Sequence, residues 1–390
     1  MLRFVSAFGL LILLVLAAPR ILEISAHSAS EKNTNVSTPT EIRVISPGWW
    51  PTKNTFPRDQ FVGSETCARC HQDIAETQKN TPMAHAVTQA TADAFSIFPQ
   101  DMHFRSGVYN YSLSQTPTGA QYSVTNGEQS ASAPLTWIFG NRQFGDTFVY
   151  QQNAMYFESR VSYYRLPNGL DFTTGHPDFR ANRIDTALGR RMSPDEPPLC
   201  FGCHSTASST DGQFRPERLI PGVTCEACHG PGAQHVAQMS TEHDAKEPTQ
   251  IFNPARLSPA DSADFCGACH RTAADVSISN VTGMFVLRFP GYGLAQSHCQ
   301  GAKEACTTCH NPHKARVQEP AFYDKVCLRC HSPASENNAT AAKPATHANP
   351  TCKVSDHDCV TCHMRKYTIP SMHTEFTNHR IGIQGEKFSE

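Results

Sequence analysis

Gly222-Val-Thr-Cys225-Glu-Ala-Cys228-His229-Gly-Pro-Gly232-Ala-Gln-His235 is the stretch on which the reading of this chain turns. Its centre is Cys-x-x-Cys-His, the attachment signature of a c-type haem. Two thiols join the porphyrin vinyl groups as thioethers, and the adjacent imidazole binds the iron. Six further copies follow the same rule: Cys67-Ala-Arg-Cys70-His71, Cys200-Phe-Gly-Cys203-His204, Cys266-Gly-Ala-Cys269-His270, Cys306-Thr-Thr-Cys309-His310, Cys327-Leu-Arg-Cys330-His331 and Cys359-Val-Thr-Cys362-His363. With 16 Cys and 19 His in 390 residues, a shuffled chain would hold on the order of 0.03 copies. Zinc ribbons and redox dithiols also use Cys-x-x-Cys, but neither requires a histidine after every second cysteine. Seven covalently attached haem c groups are therefore expected, with His71, His204, His229, His270, His310, His331 and His363 as iron ligands.

The rest of the composition agrees with a core made partly of porphyrin. Apolar residues are 39% of the chain and the formal net charge is -2, which excludes a basic nucleic-acid footprint. The expected fold is a mainly α/irregular multihaem cytochrome with stacked c-haems and a small antiparallel β insertion.

Five regions follow in order. Residues 1–27 hold the apolar run Phe4–Ala18, either a cleaved export signal or a retained membrane anchor. Residues 28–60 are rich in Ser, Thr, Asn and Pro and read as a linker or extended arm carrying Trp49-Trp50. Residues 61–103 form the first haem segment. Residues 104–175 carry alternating stretches, Val108–Leu113 with Gln121–Val124 and Thr147–Tyr150 with Met155–Val161, around turn signals. That insertion would cover haem edges or dock a partner. Residues 176–390 pack six motifs. Cys299 and Cys352, the two cysteines outside the motifs, each lie seven residues before a motif, which suggests a disulfide between them in an exported protein.

An iron with one histidine has an open side, and what fills it separates a carrier from a catalyst. His235 follows a Gly-Pro-Gly turn, His313 lies in His310-Asn-Pro-His313, His298 precedes Cys299, and His379 lies near the C-terminus. These four are the leading second ligands, with His176 and His103 next. Near the first motif, Thr81-Pro-Met83-Ala-His85-Ala offers Met83 or His85. A Met ligand would raise the potential of that haem. No catalytic residue is assigned.

The chain resembles exported multihaem cytochromes related to the nitrifier tetrahaem cytochrome c family. The resemblance rests on Thr81–Ala86, Gly222–Gly232, Cys306–His313, Cys359–Met364 and Thr377–Ile381, and covers most of residues 60–385. It implies stacked, mostly bis-histidine haems engaged in electron transfer. Family members often present a histidine where Met83 stands here, which puts bis-histidine ligation of the first haem in question. The expected function is periplasmic or extracellular electron transfer between redox protein partners in respiration, as a soluble protein, a homo-oligomer or part of a membrane complex. The alternatives are a reductase or oxidase of nitrite or hydroxylamine type with one open haem, and a haem subunit of a membrane complex or filament.

Overall fold

The structure is a computed structural model, and the residues described are 56–383 without 141, 177–180, 211–212, 242–249, 279–280, 298–303, 332–351 and 353. The N-terminal apolar run, Trp49-Trp50, His298 and Cys299 fall outside them. The expected Cys299 pairing therefore has one described member, Cys352, which is exposed.

A single antiparallel sheet of nine strands dominates the described residues before the second motif. Its strands are β1 (Val87–Gln89), β2 (Asp101–Ser106), β3 (Tyr109–Thr116), β4 (Gly119–Thr125), β5 (Ser130–Gly140), β6 (Gly145–Gln152), β7 (Met155–Tyr164), β8 (Gly169–Phe172) and β9 (Gly189–Arg191). Seven of them run in the order β2-β3-β4-β5-β6-β7-β8, while β1 pairs with β5 and β9 with β7. The first and last of the seven approach one another, with Phe104 of β2 and Phe172 of β8 edge to face at 5.2 Å. The sheet is thus a nearly closed barrel. Turn chemistry sets its registers. Asn153 and Ala154, which join β6 to β7, both have positive φ, as a two-residue hairpin turn of matching twist requires.

This overturns the expectation of a mainly helical or irregular fold with a small β insertion. Of the described residues about 38% are helical and 27% lie in strands. The period-2 signal is weak where the barrel gains its extra strands. β5 opens with Ser-Ala-Ser-Ala-Pro134, poor strand formers. Pro134 is tolerated because it falls where β5 changes partner, from β4 at Gln121↔Pro134 to β6 at Leu135↔Tyr150.

The barrel is filled rather than hollow. Phe95, Tyr111, Leu113, Tyr122, Phe148, Tyr150 and Val161 are each at most 1% exposed and form one cluster. Complete burial of each such side chain stabilises by about 1.5–3 kcal/mol. The opposite face of β1, β5 and β6 carries a second cluster, Val87, Trp137 and Val149, which receives Met192 and Phe201. Phe201 lies between the two cysteines of the second motif. Its ring meets Trp137 at 5.1 Å and Phe139 at 4.9 Å, edge to face in both cases. The barrel therefore seats the second motif, and short helices carry the remaining motifs of the C-terminal half.

Candidate haem centres

Every motif lies on, or begins in, a short helix: Ser64–Ala68, Glu196–His204, Cys225–His229, Pro259–His270, Cys306–Cys309, Ala321–His331 and Cys359–His363. Helical spacing sets the two cysteines, three residues apart, on one face. The longest of these helices starts at Ser258, whose hydroxyl accepts the Asp261 N–H at 3.2 Å, a standard N-cap.

The histidines then come together in pairs from distant parts of the chain. His71 faces His235 with ring centroids 6.5 Å apart and planes inclined by 18°. His229 faces His313 at 6.0 Å and 9°. His310 faces His379 at 6.3 Å and 44°. An iron held on both sides by imidazole separates the ring centroids by about 6.2 Å, allowing about 2 Å for each metal–nitrogen bond. Aromatic pairs in general sit about 4.5–7 Å apart, so it is the attachment motif at one ring of each pair that points to an iron between them.

Hydrogen bonds orient several of these imidazoles. Nδ1 of His204 lies 2.8 Å from the Ala86 carbonyl, Nδ1 of His229 2.9 Å from that of Phe252, Nδ1 of His363 3.2 Å from that of Gly382, and Nδ1 of His379 3.0 Å from that of Thr377. Each contact fixes the tautomer in which Nδ1 carries the proton and Nε2 keeps its lone pair for a metal. The His235 Nδ1 is buried with no hydrogen-bond partner. Burial lowers the pKa of His235, His310 and His313, and takes that of His379 down to about 4. The neutral form, the one that binds iron, is favoured at all four. Among the described residues no three metal-ligating side chains converge on one point. Paired imidazoles leave four equatorial positions of an octahedral ion for another donor, and a porphyrin supplies four.

Residues 176–230 match the family described as cytochrome c554 and c-prime. A multiheme cytochrome MtrA from Shewanella baltica (strain OS185) is 25% identical over 203 residues, 45% of this chain and 54% of that one. The chain thus spans about half the length of that curated relative. Among solved structures, the outer cell wall cytochrome OcwA resembles it with a TM-score of 0.47 and 14% identity, over 83% of this chain and 79% of that one. With the seven attachment motifs, these matches support a likeness to exported multihaem c-type cytochromes. They support covalently bound haem c as the cofactor. Bound haem supplies a reversible one-electron ferric–ferrous couple.

In this chain motif cysteines of different segments also lie close to one another. Cys67 of the first motif and Cys225 of the third are hydrogen-bonded through sulfur, and Cys225 Sγ lies 3.4 Å from Ser64 Oγ. The Cys266 thiol of the fourth motif is pushed up by its hydrogen bond to Cys306 of the fifth, by burial, and by nearby Cys228 of the third. Cys309 is pushed up to about 11 by burial and then by Cys327 of the sixth motif. Cys327 also meets Cys359 of the seventh. Cys203 of the second motif lies 3.7 Å from the Ala268 carbonyl in the fourth.

Other candidate ligands are placed differently. The ring facing His71 belongs to His235, not to His85 or His103. Met83 and His85 form a single turn whose Met83 carbonyl accepts the Val223 N–H at 2.9 Å, joining it to the third motif. His103 is exposed on β2, opposite Ser112. His176 is buried, and its Nε2 lies 2.8 Å from Glu158 Oε2, which also accepts from Arg190 at 2.8 Å. That contact ties the His176 imidazole to β7. Two carboxylates escaped the sequence reading. Glu226 is 1% exposed and accepts three backbone N–H groups. Asp324 of the sixth segment accepts the Asp358 and Cys359 N–H groups, at 2.7 and 2.9 Å, where the seventh motif begins. Glu226 had one sequence signal, being the only acid among the fourteen variable positions inside the motifs.

Proposed function

We propose that this chain is an exported seven-haem electron carrier that moves electrons between redox protein partners. The haems would be attached at Cys67/Cys70, Cys200/Cys203, Cys225/Cys228, Cys266/Cys269, Cys306/Cys309, Cys327/Cys330 and Cys359/Cys362. Their proximal ligands would be His71, His204, His229, His270, His310, His331 and His363. The irons of the first, third and fifth would be closed by His235, His313 and His379. The observation that carries this reading is the set of three imidazole pairs at the separation of a six-coordinate iron, each drawn from segments far apart in sequence.

The sulfur contacts support a path for the electrons. Sulfur hydrogen bonds join the first motif to the third, the fourth to the fifth and the sixth to the seventh, and electrostatic coupling puts cysteines of the third near the fourth and of the fifth near the sixth. The second motif meets the path at the fourth. Porphyrins attached at neighbouring cysteines would lie close together, as rapid hopping requires. Irons closed by two histidines exchange electrons without taking up substrate. Export is supported by the apolar run Phe4–Ala18 and by the site of thioether formation, which in bacteria lies outside the cytoplasmic membrane. Among the described residues no helix is long and apolar enough to cross a membrane.

Intact mass and the alkaline pyridine spectrum of the purified holoprotein count the haems, and seven are expected. Electron paramagnetic resonance of the oxidised protein should show low-spin irons. A large high-spin signal that shifts on adding nitrite would overturn the carrier reading.

A further inference from the structure

We propose that Glu226 is the positioning residue of the first haem: its carboxylate, seated inside the third motif, holds in place both chain segments that supply that haem's axial imidazoles. This inference rests on the His71/His235 assignment above.

The side chain at this position of a Cys-x-x-Cys loop has no need to be buried, yet Glu226 is 1% exposed. Its Oε1 accepts the Val62 N–H at 2.9 Å and the Gly232 N–H at 2.8 Å, and its Oε2 accepts the Gly63 N–H at 2.8 Å. Three donors therefore face two oxygens that only accept, the complement of an ionised carboxyl. Each donor lies at a structural entry. Gly63, at φ 80°, is the residue from which the helix Ser64–Ala68 leads to Cys67 and His71. Gly232 opens the helix Ala233–Thr241, which carries His235, and its carbonyl accepts the Val236 N–H at 2.9 Å. The junction has no spare room. A Cβ on Gly232 would lie 2.9 Å from the Val62 side chain and 3.3 Å from Glu226 Oε1.

One carboxylate thus fixes the distance between the start of the His71 segment and the start of the His235 segment. It also places a negative charge, solvated by peptide dipoles, beside the first and third attachment sites. A buried anion stabilises the ferric over the ferrous state of a nearby haem, so this charge lowers the potentials of those two haems.

The test uses the full-length holoprotein with Glu226→Gln and Glu226→Asp. Glutamine keeps the size, removes the charge and turns one acceptor into a donor. Aspartate keeps the charge but is too short to reach both segments. Expected for Glu226→Gln are an upward shift of two of the macroscopic midpoint potentials and a change in one low-spin resonance, the others remaining as in wild type. Expected for Glu226→Asp is the same resonance change with smaller shifts in potential. If Glu226→Gln does not mature, the Glu226→Asp resonance decides. Wild-type resonances and potentials in a fully haem-loaded variant would overturn the proposal, as would uniform loss of every haem signal in both variants. Failure of the underlying ligation would show separately, as a wild-type protein whose first haem is not bis-histidine.

Discussion

Replacing His313 by alanine removes one imidazole and little else. The His313 N–H bonds to Asn311 Oδ1 at 2.9 Å, a backbone contact that alanine retains. The lost ring is the one facing His229 at 6.0 Å. Two consequences can be sized. First, one iron of the set loses its second ligand, so reduced H313A should bind one more carbon monoxide per chain than wild type. Second, an iron shared by His229 and His313 is a cross-link closing a loop of about 85 residues. The chain-entropy treatment of a cross-link of that span gives about 4.5 kcal/mol, an upper value because neighbouring cross-links already shorten the free chain. That corresponds to roughly three decades in the unfolding equilibrium. Carbon monoxide titration monitored in the Soret band reads the first effect, and urea denaturation reads the second. Unchanged stoichiometry together with an unchanged midpoint would refute the pairing.

Three other outcomes follow from named contacts. Phe201→Ala should destabilise the seat of the second motif on the barrel by about 3–5 kcal/mol, read as a lower thermal midpoint, because Phe201 is 1% exposed between Trp137 and Phe139. Asp324→Asn should cost about 1–3 kcal/mol and speed hydrogen exchange at the Cys359 amide. Against the penalty of burial, the Cys359 and Asp358 amides hold the Asp324 carboxyl below its ordinary 3.8. Its contribution is therefore full above that value and is lost as pH falls through the lower folded one, and D324N should lack this acid-dependent loss. Met83→Leu should leave the potential of the first haem unchanged in redox titration, since His235 faces His71; a drop in that potential would restore Met83 as its ligand.

The sequence declared its cofactor openly but hid its connectivity. His235, His313 and His379 stand out through their Gly-Pro-Gly, Asn-Pro and C-terminal contexts, yet nothing local says which iron each one meets. The partners come from segments two motifs apart, and that depends on how helices such as Ser64–Ala68 and Cys225–His229 pack. The surroundings of His176 were hidden for a similar reason: Glu158, whose carboxylate lies 2.8 Å from its Nε2, sits on β7 and is invisible from the Gly175-His176 context. On the fold side, the hairpins β3–β4 and β6–β7 were readable from alternation and turn residues. Closure of the barrel was not, because it depends on β5 changing partners at Pro134 and on Phe104 meeting Phe172, both tertiary events.

The pairing of His71 with His235 has a consequence for biogenesis. A chain that crosses the membrane from its N-terminus presents the first motif to the attachment machinery long before residue 235 has emerged. With the proposed ligation, the first iron must wait, open on one side, until the third segment arrives. The third iron waits for the fifth segment, and the fifth iron for the C-terminus. Assembly would then close like a row of staggered clasps, each secured by a later stretch of chain. Cutting the chain before residue 379 should leave the fifth haem attached but unclosed.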